Sequence, residues 1–126
     1  MAGTVTRKRK KTAKTRKGSR HLTVADVRKA FGVTMETFAR LSGYSVRSIA
    51  GWEAGNPLRG PAKMKMQELG RLADALRQVI KSDAIPDWLD TPNDAFDDLK
   101  PLEVIERGEI DRLWRMIFNL ESGIPG

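Results

Sequence analysis

The 126-residue sequence has no cysteine and a single histidine, His21. The missing thiols exclude disulfides, cysteine nucleophiles and cysteine-ligated zinc, and one imidazole leaves little scope for histidine chemistry. No apolar run approaches the roughly 20 residues that a membrane-spanning helix needs, and the basic N-terminus leads into no hydrophobic segment of a signal peptide. We therefore expect a cytoplasmic protein that has no membrane partner, no metal and no cofactor.

Acidic side chains are absent from the first 25 residues, whereas residues 1–20 carry nine Lys or Arg side chains. Residues 21–83 hold ten basic side chains against six acidic ones, and residues 84–126 hold four against ten, which accounts for the net charge of +7. Self-repulsion and scarce apolar side chains predict that residues 1–21 form a disordered basic arm. Such an arm binds a phosphate backbone without reading sequence. The alternatives are a merely solubilising tail or a membrane-surface patch, although the arm lacks the apolar face that interfacial insertion requires.

Hydroxyl side chains and glycines mark out three short helices between residues 23 and 53. Thr23 predicts the start of the first helix, and Gly32 predicts its end. Thr34 predicts the cap of the second helix, and the third runs from Ser45 to about Glu53. These helices, and the absence of any strand pattern, predict an all-α fold that begins with a helix-turn-helix bundle.

The second and third helices meet the steric demands of a helix-turn-helix. Small Ala39 lets the two backbones approach, Gly43 tolerates a positive φ in the turn, and Ile49 locks the second helix of the motif onto the first. The segment Trp52-Glu53-Ala54-Gly55 resembles the W-E-x-G ending of the Xre-type helix-turn-helix regulators. That resemblance implies binding to double-stranded operator DNA, and a homodimer is expected because one recognition helix reads few base pairs. Met35 departs from the family, which commonly has a phosphate-contacting glutamine there.

The resemblance also implies which side chains face the DNA. In such folds the first turns of the third helix enter the major groove. Arg47 is the strongest candidate, because its guanidinium can bind guanine O6 and N7 bidentately, and a solvated surface arginine is the alternative. The predicted base-contacting residues are Ser45, Val46, Arg47, Ser48 and Gly51, and the predicted phosphate contacts are Arg40, Arg59, Lys63 and Lys65.

Apolar side chains at three- and four-residue steps predict a long helix over residues 61–81. Thr91 as an N-cap, followed by a proline, predicts a short helix over 92–99. A further helix spans 101–107, and a last one spans 109–121. The last helix is expected to place one apolar stripe against the core, formed by Ile110, Leu113, Trp114, Ile117 and Leu120.

The acidic C-terminal module, residues 84–126, carries a second and independent resemblance. The strings Trp88-Leu89, Thr91-Pro92-Asn93 and Leu99 to Ile105, followed by Leu113 to Gly123, are similar to the toxin-binding domain of the MbcA/ParS/Xre antitoxins. With the helix-turn-helix domain ahead of it, residues 22–83, the order resembles the whole antitoxin. The resemblance implies a cognate toxin, usually a RES-domain enzyme that degrades NAD⁺, and repression of the antitoxin's own operon.

Most apolar side chains of this module are expected in the core, namely those of Trp88, Leu99, Leu102, Ile105, Leu113 and Ile117. The helix positions outside the apolar stripe are better candidates for the toxin-binding surface, and these are Arg112, Arg115 and Met116. The following tail, with Glu121, Ser122 and Gly123, is a further candidate, although a frayed terminus has the same composition.

An antitoxin that is also a repressor fits the sequence best, and a stand-alone repressor whose acidic module only dimerises is the alternative. An enzyme is disfavoured. Asp97 and Asp98 are adjacent and would diverge by about 100° on a helix, and no nucleophile–base pair or glycine-rich phosphate loop is present. We therefore expect no catalytic residues.

Overall fold

The structure is a computed structural model, and it describes residues 23–123. The predicted disordered arm, residues 1–21, lies outside that range. The described chain is all-α, and no helix within it is both long enough and apolar enough to cross a membrane. Its seven α-helices are α1 Val24–Phe31, α2 Met35–Ser42, α3 Val46–Glu53, α4 Gly60–Val79, α5 Ile85–Leu89, α6 Pro101–Glu106 and α7 Ile110–Glu121.

The first three helices begin where the sequence predicts, because a hydroxyl side chain caps each one. Each cap accepts a hydrogen bond from the backbone N–H three residues later, at 3.0 to 3.1 Å, and the capping residues are Thr23, Thr34 and Ser45. Gly43 adopts φ 81° and ends α2 in the left-handed region, where a side chain would be strained. The turn between the two helices of the motif therefore requires glycine.

The crossing of α2 and α3 is closed by apolar packing. Phe38 of α2 and Ile49 of α3 are fully buried, and Ala39 packs at the edge of the same cluster. Trp52 packs edge-to-face on Tyr44, with ring centroids 5.2 Å apart. Trp52 is therefore a packing residue of the helix-turn-helix.

The long helix α4 forms the centre of the core. Both α1 and α7 pack against it, and α6 packs on α2, so one hydrophobic cluster runs from Val24 to Ile117. The helix ends at Val79, two residues before the predicted end, because Ile80 adopts an extended backbone with φ −131°. The buried residues of α4 are Ala62, Met66, Leu69, Gly70, Leu72, Ala73 and Leu76.

The helix predicted over residues 92–99 is wrong. Thr91 does not cap a helix there, because its hydroxyl donates to the Asp87 carbonyl at 2.6 Å at the end of α5, a helix that the sequence pattern did not predict. Asn93 instead caps a single 3₁₀ turn, Asp94–Phe96, and Asp97 and Asp98 then adopt positive φ values of 57° and 66°. A backbone bond from Asn93 N to the Leu99 carbonyl at 3.1 Å closes this loop.

The last two helices are confirmed, with one correction to the apolar stripe of α7. Leu113 and Ile117 are buried, whereas Leu120 is 50% exposed. Leu120 lies four residues after Met116 and seven after Leu113, so it projects between these two positions, at the last turn of the helix. The end of α7 thus presents an apolar side chain outside the core.

An ion pair joins α1 to the end of α3. The Arg28 guanidinium donates to both carboxylate oxygens of Glu53, at 2.7 and 2.9 Å, and its third nitrogen donates to the Val33 carbonyl at 3.1 Å. Only 22% of the Arg28 side chain and 12% of the Glu53 side chain are exposed. The donated hydrogen bonds lower the pKa of Glu53, and the bonds of Arg28 fix α1, the loop that follows it and the end of α3 relative to one another.

We predict that Glu53→Gln destabilises the fold near neutral pH by about 1.5 to 3 kcal/mol, because charged hydrogen bonds are lost. Since the pKa of Glu53 lies below its ordinary value of 4.5, the pair's contribution is complete above that pH and is lost as pH falls through the folded value. Urea unfolding of parent and variant should therefore differ at neutral pH and converge in acid. Glu68→Gln is the control, because its pair with Lys65 is longer, at 3.6 Å, and more exposed. A difference that does not change with pH would contradict this assignment.

Candidate DNA-binding and partner-binding surfaces

The first turn of α3 is presented to solvent. Ser45, Val46 and Arg47 are exposed, and Val46 keeps 37% of its surface accessible even though it is apolar. The Ser45 and Ser48 hydroxyls lie 3.1 Å apart and bond to each other, while Ser45 also caps the helix. Both hydroxyls therefore already have internal partners.

Arg47 differs from these serines. Among residues 23–123, no side chain or carbonyl accepts a hydrogen bond from its guanidinium. A guanidinium held at the start of an exposed helix, with its donors unused, is suited to bind an external acceptor such as a guanine edge or a phosphate. Arg47 is the predicted base-contacting residue whose geometry fits that role best.

Gly51 is the last predicted base-contacting residue, and the side chain of Asn56 lies against it. A Cβ atom at this position would lie only 2.6 Å from Nδ2 of Asn56. The Asn56 backbone N–H also donates to the Gly51 carbonyl at 2.9 Å. The exposed Asn56 carboxamide thus fills the space that a side chain at position 51 would occupy.

The predicted phosphate contacts occupy different environments. Arg40 is held by Glu106 of α6, with Nε and Nη2 each 2.8 Å from a carboxylate oxygen. These hydrogen bonds raise the pKa of Arg40 and lower that of Glu106. Arg59 and Lys63 are exposed at the start of α4 and make no side-chain bond within the described residues, whereas Lys65 pairs with Glu68. Arg40 therefore serves an internal role that the sequence did not predict.

A groove of about 310 Å³ runs along α7. Three of the predicted toxin-binding residues, Arg112, Arg115 and Met116, lie together in its wall, and Trp88 contributes an aromatic side chain that is only partly buried. We call this surface the α7 groove, and its lining residues are Ile80, Trp88, Asn93, Ala95, Arg112, Arg115, Met116, Asn119 and Leu120.

The two arginines of the α7 groove are held differently. Arg112 donates to Glu109 at 2.8 Å and to Asp97 at 3.1 Å, and its guanidinium lies 5.8 Å from the centre of the Phe96 ring. Within residues 23–123, Arg115 pairs only with Asp111, and both side chains are about two-thirds or more exposed, at 67% and 72%. Arg112 is thus fixed within the fold, whereas Arg115 can exchange its partner at little cost.

The remaining predicted toxin-binding residues do not line the groove. Glu121, Ser122 and Gly123 are exposed at the end of α7, immediately after the groove residue Leu120. Phe118 is also 63% exposed in this last part of the helix. The sequence pattern does not identify Ile80, Asn119 or Leu120 as lining residues, because a groove between separate elements leaves no local pattern.

The sequence is similar to known antitoxins, although no protein-family model matches it. It is 30% identical over 103 residues to the mycobacterial cidal antitoxin MbcA of Mycobacterium tuberculosis H37Rv, which covers 81% of this chain and 91% of that protein. MbcA of Mycobacterium bovis gives the same values. The structure matches a chain in the crystal structure of the M. tuberculosis MbcT-MbcA toxin-antitoxin complex, with a TM-score of 0.69, 28% identity, and coverage of 86% of this chain and 96% of that one.

We predict that Arg112→Ala lowers the melting temperature, because it breaks two ion pairs and removes the contact with Phe96. Arg115→Ala on the same helix is the matched control, and it should leave the melting temperature within experimental error because its pair is exposed. Thermal unfolding followed by circular dichroism makes the comparison. Equal shifts for the two variants would show that Arg112 has no special structural role.

Proposed function

The chain belongs to the MbcA family of antitoxins, and we propose that it neutralises a RES-type, NAD-degrading toxin and represses its own operon by binding operator DNA. Membership of the family makes it an antitoxin of a toxin-antitoxin system. The type of toxin and the binding of DNA are the parts that we propose. The observation that carries the proposal is the length of the match to MbcA. Because 103 of the 126 residues align, the match includes residues of both the helix-turn-helix domain, 22–83, and the C-terminal module, 84–126.

We assign DNA binding to residues 22–83, with the basic arm, residues 1–21, as a source of further phosphate contacts. The free guanidinium of Arg47 and the exposed methyl groups of Val46 stand at the start of α3, where helix-turn-helix proteins contact base edges. Arginine suits guanine, and an apolar side chain suits the methyl group of thymine. Two copies of the chain would place two such helices about 34 Å apart on a pseudo-palindromic operator.

Toxin binding is assigned to residues 84–126, with the α7 groove as its centre. The apolar part of the groove, with Trp88, Met116 and Leu120, is suited to an apolar anchor of the toxin. Methionine adapts its shape to such an anchor, and Arg115 at the rim can exchange Asp111 for a carboxylate of the toxin. The exposed end of α7 would extend this contact through Glu121, Ser122 and Gly123.

For the DNA-binding half, we predict that Arg47→Ala weakens binding to a sequence selected from randomised duplexes by about 1 to 3 kcal/mol and relaxes the preference at one base pair. Lys63→Ala is the contrasting variant. As a phosphate contact, Lys63 should contribute equally on every sequence, and its loss should reduce the slope of affinity against salt by about one. Fluorescence anisotropy on selected and random duplexes measures both effects. If Arg47→Ala weakens both duplexes equally, Arg47 contacts a phosphate instead of a base.

For the toxin-binding half, the test uses the product of the neighbouring gene. Expression of that product alone should arrest growth and deplete cellular NAD⁺, and co-expression of the parent antitoxin should prevent both effects. Arg115→Glu should abolish protection because it reverses the charge at the rim of the α7 groove. Arg71→Glu on the exposed surface of α4 is the matched control and should protect fully. A neighbour that is harmless and does not co-purify would refute the toxin-binding assignment, and growth arrest without loss of NAD⁺ would refute the RES type alone.

A further inference from the structure

We propose that Asn56, which lies outside the helix-turn-helix, reads an adenine in the operator and supplies the base contact that Gly51 cannot make. This inference rests on the proposed binding of operator DNA. It adds a residue that determines sequence specificity and names the base that this residue recognises.

The position of the Asn56 carboxamide carries the proposal. Gly51 lies four residues after Arg47, so the two positions share one face of α3. A Cβ atom at Gly51 would lie 2.6 Å from Asn56 Nδ2 and 3.6 Å from Cγ, which places the carboxamide directly on that face. A side chain from the following loop therefore stands where a helix residue one turn beyond Arg47 would project.

The loop backbone holds the carboxamide in this place. Gly55 has φ 114°, a conformation that turns the chain back toward α3 and that a side chain would disfavour. The Asn56 N–H then donates to the Gly51 carbonyl at 2.9 Å. The residue is thus fixed at its backbone, while its side chain points along an exposed surface.

The carboxamide has unused hydrogen-bonding capacity. Asn56 is exposed, and within residues 23–123 neither its Nδ2 nor its Oδ1 forms a hydrogen bond. An amide offers one donor and one acceptor side by side, which match the N7 acceptor and N6 donor of adenine in the major groove. The Ser45 and Ser48 hydroxyls are bonded to each other, so they do not duplicate this contact.

The geometry also predicts where the adenine lies. One helical turn along α3 is about 5.4 Å, and successive base pairs are separated by about 3.4 Å. The adenine should therefore lie one or two base pairs from the guanine that Arg47 contacts. This spacing distinguishes Asn56 from a residue that merely touches the edge of the site.

The experiment selects binding sites from randomised duplexes with the parent protein and with Asn56→Ala. The parent should select an adenine at the predicted spacing, and Asn56→Ala should lose the preference at that base pair alone. On the parent's selected duplex, Asn56→Ala should bind at least about tenfold more weakly. Replacing that adenine with 7-deazaadenine, which lacks the N7 acceptor, should weaken the parent to a similar extent and leave Asn56→Ala unchanged.

Gly51→Ala provides a second variant that moves the carboxamide without removing it. The new Cβ would displace the flexible amide end of Asn56, while alanine favours the helix more than glycine does. This variant should keep or raise the melting temperature and yet lose the adenine preference. Loss of specificity in a protein that is no less stable cannot be attributed to unfolding.

The outcomes separate this inference from the proposed function. If the parent selects no sequence, the proposed binding of operator DNA is wrong and the inference fails with it. If the parent selects a site but Asn56→Ala selects the same site with the same affinity, only the inference is wrong. Equal weakening on selected and random duplexes would make Asn56 a phosphate contact and would also overturn it.

Discussion

The burial of α4 is the constraint on which the rest of the structure depends. Its apolar residues are covered both by α1 of the helix-turn-helix domain and by α7 of the C-terminal module. Displacement of either α1 or α7 would therefore expose apolar residues of α4 to water. The Arg40–Glu106 pair and the packing of α6 on α2 link the two segments a second time. One hydrophobic core therefore supports both the surface that we assign to DNA and the surface that we assign to toxin.

Polar interactions then fix the positions of helix ends and loops that apolar burial alone does not determine. The Arg28–Glu53 pair gives a physical role to the glutamate of the W-E-x-G ending, since that carboxylate fixes the end of α3 against α1. Arg112 has a comparable role in the C-terminal segment, where it joins the 94–98 loop to α7. Arg47 and Asn56 make no side-chain hydrogen bond within residues 23–123, and the pair of Arg115 with Asp111 is exposed; all three side chains lie on the surfaces that we assign to binding.

The sequence predicted those features that depend on neighbouring residues. Hydroxyl caps, the glycine of the turn and apolar periodicity placed α1 to α4, α6 and α7 within a few residues. The prediction of a helix over 92–99 was wrong because a threonine before a proline resembles an N-cap. In the folded chain the Thr91 hydroxyl donates to the Asp87 carbonyl instead. A contact between distant positions, such as that of Arg40 with Glu106, requires the folded chain and leaves no local signal. The placement of Asn56 over Gly51 depends on the backbone turn at Gly55, which the sequence pattern does not specify.

The position of α7 also governs the order in which the protein can acquire its structure during synthesis. Leu113 and Ile117 complete the cluster that covers α4, so the core of the helix-turn-helix segment remains open until the ribosome has released these residues. A nascent chain that stops after α4 would expose the apolar surface that α7 normally covers. The toxin-binding surface is therefore completed late in translation, and a chain truncated before α7 leaves part of α4 uncovered.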